Sequence, residues 1–125
     1  MKIIYTNSAP AAIGPYSQAV IVDGFLFASG QIPLSPKTGE VVSGGIKEQT
    51  EQVMQNIAAV LAAAESDISK VVKTTCFLTS MENFAAFNEI YSQYFTGKPA
   101  RSCVAVSALP RGVLVEVEII AKVSG

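Results

Sequence analysis

Residues 99–106 read PARSCVAV, and after a short break residues 113–118 read VLVEVE. Both are apolar runs rich in β-branched residues, the composition that suits a pleated, half-buried surface. Between them Ser107–Gly112 carries Leu-Pro-Arg-Gly, a turn-forming sequence. Joined as a hairpin centred near 109–110, the two strands set Cys103 opposite Glu116 and Arg101 opposite Glu118. Such cross-strand neighbours stand about 5 Å apart and diagonal ones about 7–8 Å. Side chains alternate along a strand, so Arg101, Cys103 and Ala105 share one face while Ser102, Val104 and Val106 take the other. In the last strand Val115, Val117, Ile119 and Ala121 form an unbroken apolar row, and Leu114, Glu116, Glu118, Ile120 and Lys122 a mixed one. The hairpin therefore predicts that Arg101, Cys103 and Glu116 converge on one face of a sheet. A charged side chain in such a strand wants a partner, because desolvating an ion costs several kcal/mol. Two readings of Arg101 stand: a structural ion pair with Glu116 or Glu118, or a guanidinium fork gripping a carboxylate or phosphate.

Outward from this pair, SQAVIV (17–22) and FLFAS (25–29) are short apolar runs separated by Asp23-Gly24, a two-residue hairpin signal. Pro36–Gly39 is a second turn. From Ile46 to Ala64 the period changes to helical, with Ile46, Val53, Ile57, Val60, Leu61 and Ala64 on one face. VVKTTCFLT (71–79) reads as a strand and Ser80 as a helix N-cap. Phe84, Phe87, Tyr91 and Tyr94 then mark an amphipathic helix ending near Gly97. The order is β-β-α-β-α-β-β, with a further short strand at Ile3–Tyr5. This is an α+β domain: a mixed sheet with two helices on the face bearing Val115 to Ala121. The other face must meet water or another subunit.

A chain of 125 residues makes a single domain, 1–125. Half of it is hydrophobic, and its 15% of charged residues is low against about 25% in ordinary domains. Mean hydropathy is +0.39, yet no apolar run approaches the roughly 20 residues of a membrane span. A homo-oligomer would cover the surplus apolar surface. Net charge is −1 and the basic residues are scattered, so the footprint of nucleic-acid binding is missing. The N-terminal MKIIYTNSAP lacks the apolar stretch of a signal peptide, which points to a cytoplasmic protein with Cys76 and Cys103 reduced. There is no histidine; chemistry must run on Arg, Glu, Tyr, Cys, Lys, backbone amides and water. Two cysteines without histidine suit neither zinc nor a thiol nucleophile in want of a base. Cys103 reads as a small buried hydrophobe whose thiol pKa the neighbouring Arg101 would lower, and Cys76 reads as core. Gly14-Pro15-Tyr16-Ser17 presents Tyr16 from a turn, and at Ser29-Gly30-Gln31 glycine admits a close approach to the backbone. Glu116 could hold a water or exchange protons if its pocket raised its pKa.

These residues carry a resemblance. APAAIGPYSQA (9–19), SGQIP (29–33), TGE (38–40), NFAAFN (83–88) and PARSCV (99–104) with VEVE (115–118) occur in order over most of the chain. Together they resemble the Rid (reactive intermediate deaminase) family, its RidA-type members most closely. The resemblance implies a chorismate-mutase-like fold assembled as a homotrimer with ligand clefts between subunits. It also implies hydrolysis of 2-imino acids, such as 2-iminobutanoate and 2-iminopropanoate, to 2-oxo acids and ammonia. Those imines are released by pyridoxal-phosphate enzymes; no cofactor, metal, membrane or nucleic acid is implied. Carried over by motif, Arg101 binds the substrate carboxylate, Glu116 activates water, and Tyr16, Gly30, Asn88 and Cys103 line the cleft. The departure is at Phe95–Pro99, a tighter approach to the arginine that alters the cleft rim. Two other classes stand beside it: a non-catalytic regulatory protein binding small carboxylates, and a ribonuclease or translation inhibitor. The acidic pI of about 5.3 and the absence of histidine argue against the latter. One arginine is thin for a chorismate-mutase-like isomerase.

Overall fold

In the computed structural model, which describes residues 1–123, Asp23 and Gly24 take left-handed φ of 50° and 81°. A two-residue turn of that kind matches the twist of the strands it joins. It links β2 (Ala19–Val22) to β3 (Phe25–Ala28), and β2 pairs on its other side with β1 (Lys2–Ile4). There follow α1 (Ile46–Ala63), β4 (Val71–Leu78), α2 (Phe84–Tyr94), β5 (Ala100–Ala105) and β6 (Val115–Lys122). The order is the expected one. Residues 124 and 125, the last of the expected unit, lie outside the described residues.

Local chemistry explains the helix starts. Gly44 has φ 108°, and a Cβ there would stand 2.6 Å from Cγ of Glu48. The Glu48 carboxylate folds back to accept the Gly45 N–H at 2.8 Å, satisfying a donor that the first helical turn leaves open. Ser80 accepts the Glu82 N–H at 3.1 Å. It caps a short 3-10 turn, Met81–Asn83, that leads into α2, so it acts one turn earlier than a direct cap would.

The sheet order is β1-β2-β3-β6-β4-β5, and this corrects the hairpin. β5 and β6 do not pair: β4 lies between them, parallel to β5 and antiparallel to β6. The reason is the helix between β4 and β5. A strand–helix–strand unit brings the chain back in the same direction, beside its first strand. β5 thus takes one side of β4, leaving the other for β6. The connection bends at Arg111 and Gly112, with φ 61° and 68°. It crosses the end of β4, where Val106 N–H donates to Leu78 at 2.8 Å and Thr79 N–H to Leu114 at 3.2 Å.

One face holds the core. Val115, Val117, Ile119 and Ala121 of β6 and Thr74, Cys76 and Leu78 of β4 are buried beneath α1 and α2, as alternation predicts for β6. Met54, Ile57 and Leu61 of α1 and Phe87 of α2 close over them. The opposite face leaves apolar side chains in the open: Ile3 is 61% exposed, Val104 45% and Phe27 41%. No helix among the described residues is long and apolar enough to cross a membrane.

Candidate active site in two halves

Arg101 projects from β5, level with Thr74 of β4, and Cys103 lies level with Cys76. Thr74 and Cys76 are fully buried, so this row faces the helices. The Arg101 guanidinium donates from Nη1 to Oδ1 of Asn88 at 2.6 Å. Its Cζ lies 4.7 Å from the ring centroid of Tyr91 and 5.5 Å from that of Phe84. A cation over aromatic faces is attracted by their quadrupoles, so α2 supplies both a shelf and a latch. Tyr91 is itself fixed by a 2.8 Å hydrogen bond to Thr74. An open cleft of about 510 Å³ lies alongside, lined by Asn88, Tyr91, Phe95, Lys98 and Arg101 among others, none of them acidic. Among the described residues Arg101 makes no ion pair; the one expected with Glu116 or Glu118 does not form.

Cys103 is partly buried. Burial pushes its thiol pKa up by more than the Arg101 charge lowers it, reversing the expected direction. Cys76, in the core, is pushed up to about 12, chiefly by burial. Both thiols are protonated at neutral pH.

Glu116 belongs to the other half. It stands opposite Phe77 of β4 on the face without helices. Gln31 exchanges backbone hydrogen bonds with Val117, at 2.8 and 3.1 Å, which brings Gly30 against the Glu116 side chain. A Cβ at residue 30 would lie 2.0 Å from Oε2 and 2.8 Å from Cδ of Glu116. Here the absence of a Cβ is what lets the Glu116 carboxylate lie against the backbone. A cleft of about 310 Å³ opens at this point, lined by Tyr16, Ser29, Gly30, Ile32, Pro110 and Glu116. Burial, and secondarily the charge of Glu118, raises the pKa of Glu116. A carboxyl so raised is better matched to proton exchange near neutrality.

The Tyr16 loop is held by the side chains of Gln18 and Ser29. Buried Gln18 donates from Nε2 to the carbonyls of Pro10 at 2.8 Å and Thr6 at 3.0 Å, and accepts the Thr6 N–H at 2.7 Å. Ser29 donates to the Ser17 carbonyl at 2.6 Å. No spacing in the sequence marks these residues. The Arg101 shelf did leave a signal: Phe84, Asn88 and Tyr91, at i, i+4 and i+7, share one face of α2.

The two halves do not meet within one chain. Arg101, with Asn88 and Cys103, lies on the helix side; Glu116, with Tyr16 and Gly30, lies on the uncovered side. Across β4 the row-mates of Glu116 are Phe77 and Val104. The expected convergence of Arg101, Cys103 and Glu116 is thus corrected: inserting β4 between the strands exchanges the faces that a hairpin would have merged.

Residues 6–123 match the family described as Endoribonuclease L-PSP. A relative from Lactococcus lactis, named "Putative regulator AldR", is 59% identical over 98% of each chain. The mouse protein named 2-iminobutanoate/2-iminopropanoate deaminase is 51% identical, over 96% of this chain and 90% of its own. The solved structure of YyfA from Yersinia pestis, described as a conserved Rid family protein of unknown function, superposes with a TM-score of 0.95. It is 54% identical and 98% of each chain is covered. The resemblance read from SGQIP, PARSCV and VEVE therefore holds, and the chain belongs to the L-PSP family, among the Rid proteins.

Proposed function

We propose that this chain is a hydrolase of 2-imino acids that works as a homotrimer, each cleft combining the Arg101 half of one subunit with the Glu116 half of the next. The observation that carries the proposal is the state of Arg101. Its fork is latched by an amide oxygen and laid over aromatic rings, yet among the described residues it has no carboxylate partner. A planar cation held ready in that way suits a substrate carboxylate. The exposed Ile3, Phe27 and Val104 on the uncovered face supply apolar surface for the assembly. The activity named for the mouse relative fits this arrangement.

The chemistry needs little. Arg101 grips the carboxylate and fixes C2 of the iminium. Glu116 takes a proton from a water as its oxygen bonds to C2, giving a carbinolamine. Glu116 then returns the proton to nitrogen and takes the hydroxyl proton as the C2–N bond breaks; a 2-oxo acid forms, ammonia leaves, and the proton on Glu116 passes to it as ammonium. Orientation, proton transfer and charge stabilisation account for such a step. Cys103, neutral and without a base, contributes shape. The ribonuclease in the family's name draws no support from a chain with net charge −1 and no histidine.

Complementation tests the arrangement. Arg101→Ala and Glu116→Gln, each inactive alone, are co-refolded in equal amounts. If each cleft takes Arg101 and Glu116 from different subunits of a cyclic trimer, about a quarter of the clefts in random hybrids regain both residues. Recovery of 2-iminobutanoate hydrolysis to that level is expected. No recovery from mixed trimers would overturn the split site.

A further inference from the structure

Lys98 has no part in the proposed chemistry, yet it lines the same 510 Å³ cleft as Arg101. In a single chain this open cleft leaves room beside Arg101 for more than one carboxylate. Its wall carries two cations, Lys98 and Arg101, and no carboxylate. Among the described residues neither cation makes an ion pair within the chain.

The backbone holds Lys98 in place. Its φ is 55°, a left-handed conformation that glycine or asparagine would adopt at lower cost. Its N–H donates to the Phe95 carbonyl at 3.2 Å, and the ring of Pro99 follows at once. The short turn thereby fixes a lysine at the rim, three residues from the carboxylate-binding arginine.

Resting on the proposed function, we infer that Lys98 selects substrates: the cleft accepts 2-imino acids whose side chain ends in a second acidic group. Arg101 holds the 1-carboxylate and Lys98 the distal one. Two like charges left uncompensated on one wall favour a dianion over a monoanion, and specificity is that difference in affinity. The hydrolysis itself is unchanged, since the distal group takes no part at C2.

The test compares 2-iminosuccinate with 2-iminobutanoate, both generated in situ by amino-acid oxidases. It uses the wild-type protein, Lys98→Met, and Lys98→Asn, which keeps the left-handed turn. The ratio of kcat/KM for the dicarboxylic over the monocarboxylic imine should fall about tenfold in both variants, carried mainly by KM. A ratio unchanged within about twofold, or an equal fall for both substrates, overturns the inference and leaves the imine hydrolase standing. If the wild-type protein hydrolyses neither imine, the proposed function fails instead. Calorimetric titration with succinate and butanoate then decides the inference: a preference for succinate that Lys98→Met abolishes supports it, and equal binding refutes it.

Discussion

Gly30→Ala isolates the geometry of the Glu116 half. The backbone at residue 30 is not left-handed, so alanine fits its conformation; the obstacle is the 2.0 Å between the new Cβ and Oε2 of Glu116. Ordinary contact begins at 3.4 Å, so the carboxylate must retreat by the difference, about 1.4 Å. The displaced group is the far end of a flexible side chain, and stability should suffer little. The melting temperature should stay within about 5 °C of wild type. Catalysis should suffer far more, because a misplacement of about 1 Å at a reacting group costs on the order of 10²-fold. We expect kcat/KM for 2-iminobutanoate to drop about 100-fold, mainly in kcat. The double variant Gly30→Ala/Glu116→Gln should be no worse than Glu116→Gln alone, since groups acting as one unit are not additive. Near-normal turnover by a well-folded Gly30→Ala protein would refute the role of the carboxylate above Gly30. A fully additive double variant would show Gly30 acting on something other than Glu116.

Arg101→Ala and Arg101→Lys should fold and lose about 2–5 kcal/mol of transition-state binding, roughly 30- to 5,000-fold in kcat/KM. Lysine should fail too, because a point charge cannot reproduce the fork on Asn88 and Tyr91; circular dichroism and steady-state assays check both. Cys103→Ser should keep at least about a tenth of the activity, its thiol being protonated by burial. Stoichiometric alkylation of Cys103 that substrate prevents would contradict this. Glu116→Gln should lower kcat by about 10²–10⁴ with little change in KM. It should also melt above wild type at neutral pH. Burial raises the carboxyl's pKa on folding, so its contribution to stability is fullest at low pH and fades as pH rises through the folded value. The advantage of Glu116→Gln should therefore grow from about pH 4 upward, and a constant difference in melting temperature would contradict the shift. Light scattering at micromolar concentration should give three times the 13.1 kDa chain mass.

Pattern reached the elements and the inner face of β6, but neither the strand pairing nor, with it, the face that Arg101 and Cys103 take in β5. Alternation placed Val115, Val117, Ile119 and Ala121 under the helices, and the 3.6-residue period found α1 and α2, because burial dictates side-chain direction locally. Which strands lie side by side is a non-local choice. The turn residues at 109–112 are as compatible with a step across β4 as with a hairpin. What decides is α2 between β4 and β5, a crossover that forces parallel pairing, and that signal was in the sequence. The Arg101 latch was partly legible as Asn88 on the same helix face as Phe84 and Tyr91. Gln18 and Ser29 were not, since their partners are backbone carbonyls whose positions exist only once the loop is folded.

The placement of Arg101 and Glu116 on opposite faces has a chemical consequence. Had the hairpin formed, the two charges would stand as neighbours and pair at rest. The fork meant for a substrate carboxylate would be filled by Glu116, and the cation would lower the glutamate's pKa. A filled anion site and a weakened base are the wrong ground state for a hydrolase. With β4 between them, Arg101 is held by the neutral amide of Asn88 and the ring of Tyr91. The pKa of Glu116 is instead raised by burial and by Glu118. In the proposed trimer the two halves approach only across the cleft between subunits, where the substrate carboxylate lies between the charges. Binding then satisfies Arg101 without discharging Glu116. On the proposed mechanism, separating the pair within the chain keeps both groups competent until substrate arrives.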